Sequence, residues 1–522
     1  MKIFSLLVIV ALNSYNLLAQ QTYPFQNTKL SDDQRLDNLI SLMTLDEKID
    51  NLSPRLPGIE RLGVKGTKIS EGLHGLALSG PANWAVKGKG ASPTTTFPQA
   101  IGLAQMWDPQ LHEQVAAWEA NEARFLAQNP KYKSAGLILL APNADLGRDI
   151  RWGRTEECYG EDAYLTSVLT VAYVKGLQGN DPKYWKTASL MKHFLANSNE
   201  NNRSINSSDF DERLFREYYS YGFYKGVIEG GSRAYMAAYN KYNGVPCTVH
   251  PMLKDITVKE WGENGIICTD GGAFSLLVNA HHYYQDLPTA AAACIKAGIT
   301  MFLDNYKSSV KTALEKGMIT EKEIDQSVRG TLRVMLKLGL MDNNSSNPYS
   351  NIGITDSIKP WTKPEATELA RKVTRKSIVL MKNSGLLPLK KETIKSIAVI
   401  GPSANSVISD WYAGTPPYKV SILSGIKNAV GNSVKINYTS SNKADSAVIA
   451  ARESDVAIVC VGNNPLSYGL GWGQNHVASD GREEVDRQAI SLEQEDLVKL
   501  VKAANPKTVL VLVSSFPYSI SW

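Results

Sequence analysis

The stretch Gly265-Ile-Ile-Cys-Thr-Asp270-Gly-Gly-Ala273 is a short apolar run that ends on an aspartate and two glycines. β-prone residues closed by turn formers predict a buried strand. In an α/β barrel, a carboxylate at the C-terminal end of a strand lies where catalytic groups gather. The glycines remove side chains beside it, so a ligand can approach the backbone closely. Taken alone, the same residues make an ordinary turn or a helix N-cap. The neighbouring segments decide between the two.

From about Lys68 to Leu340, β-rich apolar runs alternate with amphipathic helical stretches. Strands are expected at Gly136–Ala141, Ala188–Lys192, Ala234–Ala238, Gly265–Thr269 and Ile299–Leu303. Helices are expected at Asp108–Gln128, Asp211–Glu229 and Asp286–Ala297. Asp108-Pro109 supplies an N-cap followed by the residue best tolerated in a first helical turn. Such alternation implies a parallel sheet with crossover helices. Residues 28–340 are accordingly expected to form a (β/α)8-like barrel.

The turn-rich run Met341–Lys363 reads as a linker. Residues 364–522 show a second alternation. A helix is expected over Glu365–Lys382, with strands at Ser396–Ile400, Ser433–Tyr438, Asp455–Val461 and Thr508–Val513. The expected fold class is therefore α/β, a barrel followed by an α/β sandwich. No helix follows the final strand to cover the sheet, so the second domain is expected to be incomplete.

The 522-residue chain carries a net charge of +5, with no long basic block and no aromatic-basic interleaving. Nucleic acid is therefore not an indicated partner. Residues 1–20, with Lys2 ahead of a short apolar run, read as a secretory signal peptide with cleavage near Ala19 or Gln20. The expected address is periplasmic or secreted. No later run is long enough to span a membrane. The five cysteines are odd in number and scattered, without metal-type spacing. No oligomeric state can be read from the sequence.

Four further segments could carry chemistry. Ser70-Glu71-Gly-Leu-His74-Gly75 puts a carboxylate and an imidazole in a glycine-punctuated loop, though a solvated turn would look the same. The loop Pro142–Asp162 combines Arg148, Arg151, Trp152, Arg154 and several carboxylates. Arginine forks suit hydroxyls, and aromatic faces suit sugar rings. Lys192-His193 ends a strand and offers hydrogen-bond donors at a barrel rim; a structural histidine competes with that reading. Gly462–Ile490 is a long excursion containing Trp472, Asp480, Glu483, Glu484, Asp486 and Arg487. Loops of this length inside compact domains are uncommon and often functional. A rim aspartate, a basic collar, aromatics and a distant acidic loop together suggest glycoside hydrolysis. That reaction uses two carboxylates and needs no metal or cofactor.

In this order, Asn143–Asp162, Lys192-His193-Phe194, Met236-Ala-Ala-Tyr-Asn240 and Ile267–Ala273 resemble glycoside hydrolase family three. The resemblance covers roughly Leu30 to Trp522. It implies a retaining exo-glycosidase of the β-glucosidase or β-xylosidase type, acting on oligosaccharides. Asp270 then matches the nucleophile. Glu71, Arg154, Lys192, His193, Met236 and Tyr239 match the terminal-sugar subsite. Glu483, within Glu483-Glu-Val-Asp-Arg487, matches the acid/base, with Glu484 and Asp480 as rivals. Glu71 stands where many β-glucosidases of the family carry Asp, which is closer to the branch containing β-xylosidases. The implied division of labour has Lys192 or Arg154 holding the Asp270 pKa down, and desolvation against Trp472 or a bound sugar keeping Glu483 protonated. A glycoside phosphorylase and a non-catalytic sugar-binding protein are the competing readings. The N-acetylglucosaminidase branch is disfavoured by the loop Leu195–Arg203, which lacks that branch's histidine motif.

Overall fold

The computed structural model describes residues 23–78, 92–342, 346–356, 358–441, 444–465 and 477–522. The expected signal peptide and Trp472 lie outside the described residues.

In the N-terminal part, strands Ile69–Glu71, Ile138–Leu140 and Ala188–Ser189 pair in parallel and in chain order. Strands Met191–Phe194, Ala234–Ala237 and Ile266–Thr269 continue the series. Parallel bridges join Asn143 to Lys192 and Cys268 to Met301. Every residue of Ile138–Leu140, Met191–Phe194, Ala234–Ala237 and Ile266–Thr269 is buried, as parallel strands covered on both faces require. The expected strand at Ile299–Leu303 is reduced to that single bridge at Met301. Helices Pro109–Gln128, Ala163–Gln178 and Leu287–Ala297 begin on the side-chain caps of Asp108, Asp162 and Asp286. One apolar cluster runs from Phe25 to Met341 and fills this part.

The C-terminal part holds four parallel strands in the spatial order Lys435–Thr439, Ser396–Ile400, Val456–Gly462 and Thr508–Val513. Apolar clusters cover its two faces, and all six residues of the edge strand Thr508–Val513 are half-buried. The helix expected to reach Lys382 stops at Ser377. The β-branched pair Ile378-Val379 disfavours its continuation, and Ile378–Met381 run on as exposed chain.

A separate cluster binds the two parts together, with Trp411 and Tyr412 packed among Leu73, Leu76, Phe97 and Leu103. All five cysteines are buried free thiols.

Candidate active site

Asp270 directly follows the buried strand Ile266–Thr269, and the residue is 9% exposed. Its Oδ1 accepts from the Gly271 N–H at 2.7 Å, while its buried Oδ2 has no hydrogen-bond partner. Tyr239 closes this corner by donating its hydroxyl to the Gly271 carbonyl at 2.7 Å.

His193, at the end of the adjoining strand series, lies 3.8 Å from Asp270 Oδ2 through Nε2. Its Nδ1 is 2.8 Å from Asp145 Oδ2, and Arg154 Nη2 is 3.2 Å from Nε2. A guanidinium only donates, so Nε2 must accept and Nδ1 must carry the proton. Burial, with the charges of Arg154, Lys192 and Arg203, pushes the imidazole pKa well below its ordinary range. His193 is therefore neutral, and both nitrogens are engaged. The expectation of a rim histidine donating to a ligand is corrected accordingly.

Arg154 makes a two-pronged contact with Glu157 at 2.6 and 2.7 Å. Its Nη1 is buried without a hydrogen-bond partner and lies 3.7 Å from Glu483. Lys192 bonds Glu71 at 3.0 Å and sits 4.5 Å from the centre of the Tyr412 ring. Met236 pairs with Cys268 in the neighbouring strand, and its side chain belongs to the apolar core.

Glu483 reaches this group from the C-terminal part. The turn Arg482–Val485 rests on Gly153, where a Cβ would lie 2.1 Å from the Val485 carbonyl oxygen. Asp486 accepts from the backbone of Gly153, Glu200 and Asn201. Arg487 donates to the Trp152 carbonyl and stacks 3.9 Å from the centre of the Phe516 ring. The Asp-Arg half of Glu483-Glu-Val-Asp-Arg487 is thus the anchor that carries Glu483 across.

Glu483 is fully engaged. Arg203 donates to it at 3.0 Å and the Tyr412 hydroxyl at 2.6 Å. Burial alone would raise its pKa, but Arg154, Arg203 and Tyr412 outweigh burial and bring it to about 2. Asp270 shifts the other way: burial raises its pKa, Arg154 and Arg203 oppose, and Glu483 adds to the rise. Both shifts are the reverse of the expected division of labour. The cause is that the guanidiniums contact Glu483 directly, while Asp270 keeps one oxygen unpaired.

The rivals of Glu483 occupy different surroundings. The Glu484 side chain is 42% exposed, with a backbone φ of 67° and Arg203 at 3.6 Å. Asp480 is buried against Arg482 at 2.5 Å. Arg203 and Tyr412 are site residues that the sequence reading missed. Arg203 lies in a polar loop, tied to Glu200 at 2.7 Å, and nothing local in the sequence singles it out. Tyr412 lies in the turn-rich stretch after the strand Ser396–Ile400, with no motif around it.

The fold and the site together define an α/β protein of two parts that meet at a buried cluster of paired carboxylates and arginines. Residues 84–334 match the glycosyl hydrolase family 3 N-terminal domain, and residues 378–522 match its C-terminal domain. A β-xylosidase of Formosa agariphila is 34% identical, covering 95% of this chain and 69% of its own length. A periplasmic β-glucosidase of Salmonella typhimurium is also 34% identical, over 82% of this chain and 58% of its own length. A solved GH3 exo-β-xylosidase in complex with a xylobiose aziridine probe superposes with a TM-score of 0.82 at 26% identity. The match covers 95% of this chain and 64% of that one. A solved β-glucosidase from Erythrobacter marinus gives 0.79 at 25% identity, over 95% and 73% of the two chains. The chain belongs to glycosyl hydrolase family 3. It spans roughly two thirds of the length of several of these relatives.

Proposed function

We propose that the protein is a retaining exo-β-glycosidase that removes terminal β-D-xylosyl or β-D-glucosyl residues from plant-type oligosaccharides and polysaccharides. The observation that carries this reading is a complementary pair of buried, unpartnered atoms. Asp270 Oδ2 is an acceptor and Arg154 Nη1 a donor, and Glu483 lies beside Arg154. An unsatisfied buried polar atom costs about 1–3 kcal/mol, and this donor and acceptor beside the two carboxyls are placed to meet a polar ligand. A sugar offers both hydroxyl donors and hydroxyl acceptors.

In this reading Asp270 Oδ2 attacks the anomeric carbon as the glycosidic C–O bond breaks, giving a glycosyl ester. Glu483 supplies the proton that leaves with the aglycone oxygen. In the second half-reaction Glu483 takes a proton from water, whose oxygen displaces Asp270. A carboxyl held near 2 is ionised, as the second step requires. The first step requires substrate binding to loosen the grip of Arg203 and Tyr412 so that Glu483 can hold a proton. Glu71, Lys192, Arg154 and Tyr239 are assigned to the terminal sugar, and Met236 to the wall behind it. No described helix is long and apolar enough to cross a membrane. The signal-like run of residues 1–20 supports an exported address.

The β-xylosidase and β-glucosidase relatives support the substrate class, and Glu71 favours xylose. Hydrolysis of p-nitrophenyl β-xyloside and β-glucoside tests it; a requirement for phosphate would indicate phosphorolysis instead. Azide rescue of Glu483→Ala on an activated aryl glycoside is expected. Rescue at Glu484→Ala would move the acid/base role to that residue.

A further inference from the structure

His74 stands in the short loop that follows the strand ending at Glu71 and takes no part in the reaction proposed above. It is 4% exposed, yet both ring nitrogens face acceptors. Nδ1 lies 2.9 Å from the Phe97 carbonyl, and Nε2 lies 3.1 and 3.3 Å from the two oxygens of Asp410. A neutral imidazole has a single N–H, so two acceptors define a protonated ring. Asp410 belongs to the C-terminal part and is also 4% exposed. It accepts further from Gln99 Nε2 at 2.9 Å and from the Tyr412 N–H at 3.0 Å.

The loop that His74 holds is tight on every side. A Cβ on Gly72 would lie 1.8 Å from Glu119 Oε1, so this carboxyl packs directly against the residue after Glu71. The Tyr173 hydroxyl reaches the Gly72 carbonyl at 3.3 Å, and the Phe97 N–H reaches the His74 carbonyl at 3.0 Å. These ties all come from the N-terminal part. Only His74–Asp410 ties the loop to the other part through a pair of opposite charges among the ion pairs of the described residues. From the same turn, Tyr412 reaches Glu483 and lies beneath Lys192, the partner of Glu71.

We propose that His74 and Asp410 are positioning residues, a buried ion pair through which the C-terminal part seats Glu71 in the terminal-sugar subsite. The proposal rests on the assignment of Glu71 to that subsite. Burial pulls the His74 pKa down, but Asp410 and the Phe97 carbonyl outweigh it and bring it to about 9. The other carboxyl facing His74 is Glu119, with Glu122 behind it, and Glu156 faces Asp410. Removing one partner leaves an unpaired buried charge, a large perturbation at one loop.

A cycle of variants on the full chain tests this. His74→Gln and Asp410→Asn are each made in the wild-type and Glu71→Gln backgrounds, and KM and kcat are measured on p-nitrophenyl β-xyloside and β-glucoside. Each single variant is expected to raise KM about 10-fold, with a smaller change in kcat. In the Glu71→Gln background that penalty is expected to fall below about 2-fold, because its route through Glu71 is gone. An equal penalty in both backgrounds overturns the proposal. For a wild type that hydrolyses neither glycoside, the functional reading fails and the pair is judged by thermal unfolding. Non-additive losses between His74→Gln and Asp410→Asn then support it, and additive losses overturn it. Should Asp410→Asn not fold, Asp410→Glu, which keeps the charge and changes the reach, carries the same cycle.

Discussion

Asp270 and Glu483 feel the same two arginines yet shift in opposite directions. Arg154 and Arg203 lower both pKa values, but Glu483 also receives the side-chain donors of Arg203 and Tyr412. Asp270 receives the Gly271 N–H at one oxygen and keeps the other unpaired, and burial prevails. A folded pKa above the unfolded value means that ionising Asp270 costs stability as pH rises through its titration. Asp270→Asn is therefore expected to lower kcat by at least about 10³-fold while the midpoint of thermal unfolding holds or rises. Activity assays with calorimetry check both halves. Glu483 has the other sign. Its contribution to stability is present above 4.5, the ordinary glutamate value, and is lost as pH falls towards about 2. Arg203→Gln is expected to move the Glu483 titration upward, read by carbon-13 NMR of the carboxyl in the free protein. An unmoved titration would show that Arg203 does not set it. Glu484 sits in the left-handed region at φ 67°. Glu484→Gly should relieve up to about 1 kcal/mol of backbone strain and keep most of the activity, as seen by unfolding and initial rates. Loss of activity there, with azide rescue, would make Glu484 the acid.

At the scale of elements, the site depends on one loop resting on another. The turn Arg482–Val485 lies on Gly153, and the contacting atoms are backbone carbonyls that cannot rotate away. Gly153→Ala is expected to destabilise by about 1–3 kcal/mol and to lower kcat/KM at least about 100-fold by displacing Glu483. Circular dichroism melts and kinetics check it, and an unchanged kcat/KM would rule out that contact as the support. The strands Ser396–Ile400 and Thr508–Val513 fall on the residues that their β-branched runs predict, as does the end of Ile266–Thr269 at Asp270. Helix starts at Asp108, Asp162 and Asp286 were legible where an N-cap announces them, although only the first and third were read. The end of the helix at Ser377 had a local signal in the β-branched pair Ile378-Val379, which the expectation of a helix to Lys382 passed over. The collapse of Ile299–Leu303 to one bridge was not legible, because packing rather than propensity decides it. At the site, Asp270, Lys192 and Arg154 stood at strand ends or in a distinctive loop. Arg203 and Tyr412 enter only because distant segments meet, and spacing along the chain carries no signal for that. The sign of the two pKa shifts depends on those same residues, so it too was out of reach.

At the scale of the whole molecule, the two parts meet at an apolar cluster and at charge pairs, several of which converge on the site around Glu483 while Lys376–Asp108 lies apart from it. The His74–Asp410 pair gives their docking a pH window. The His74 contribution is fully present below 6.5 and is lost as pH rises through about 9. The Asp410 pKa is lowered: burial opposes, and His74 and Gln99 prevail. Its contribution is present above 3.8 and is lost as pH falls below. Thermal unfolding of the wild type is expected to weaken as pH rises through about 9, with that step absent in His74→Gln. The most direct measurement concerns the bond itself. The full chain is incubated with an activated 2-deoxy-2-fluoro-β-xyloside or β-glucoside, digested, and the labelled peptide sequenced by mass spectrometry. The label is expected on Asp270, within Gly265–Ala273. A label on any other carboxylate, or steady turnover of the parent glycoside with inversion at the anomeric carbon, would contradict it.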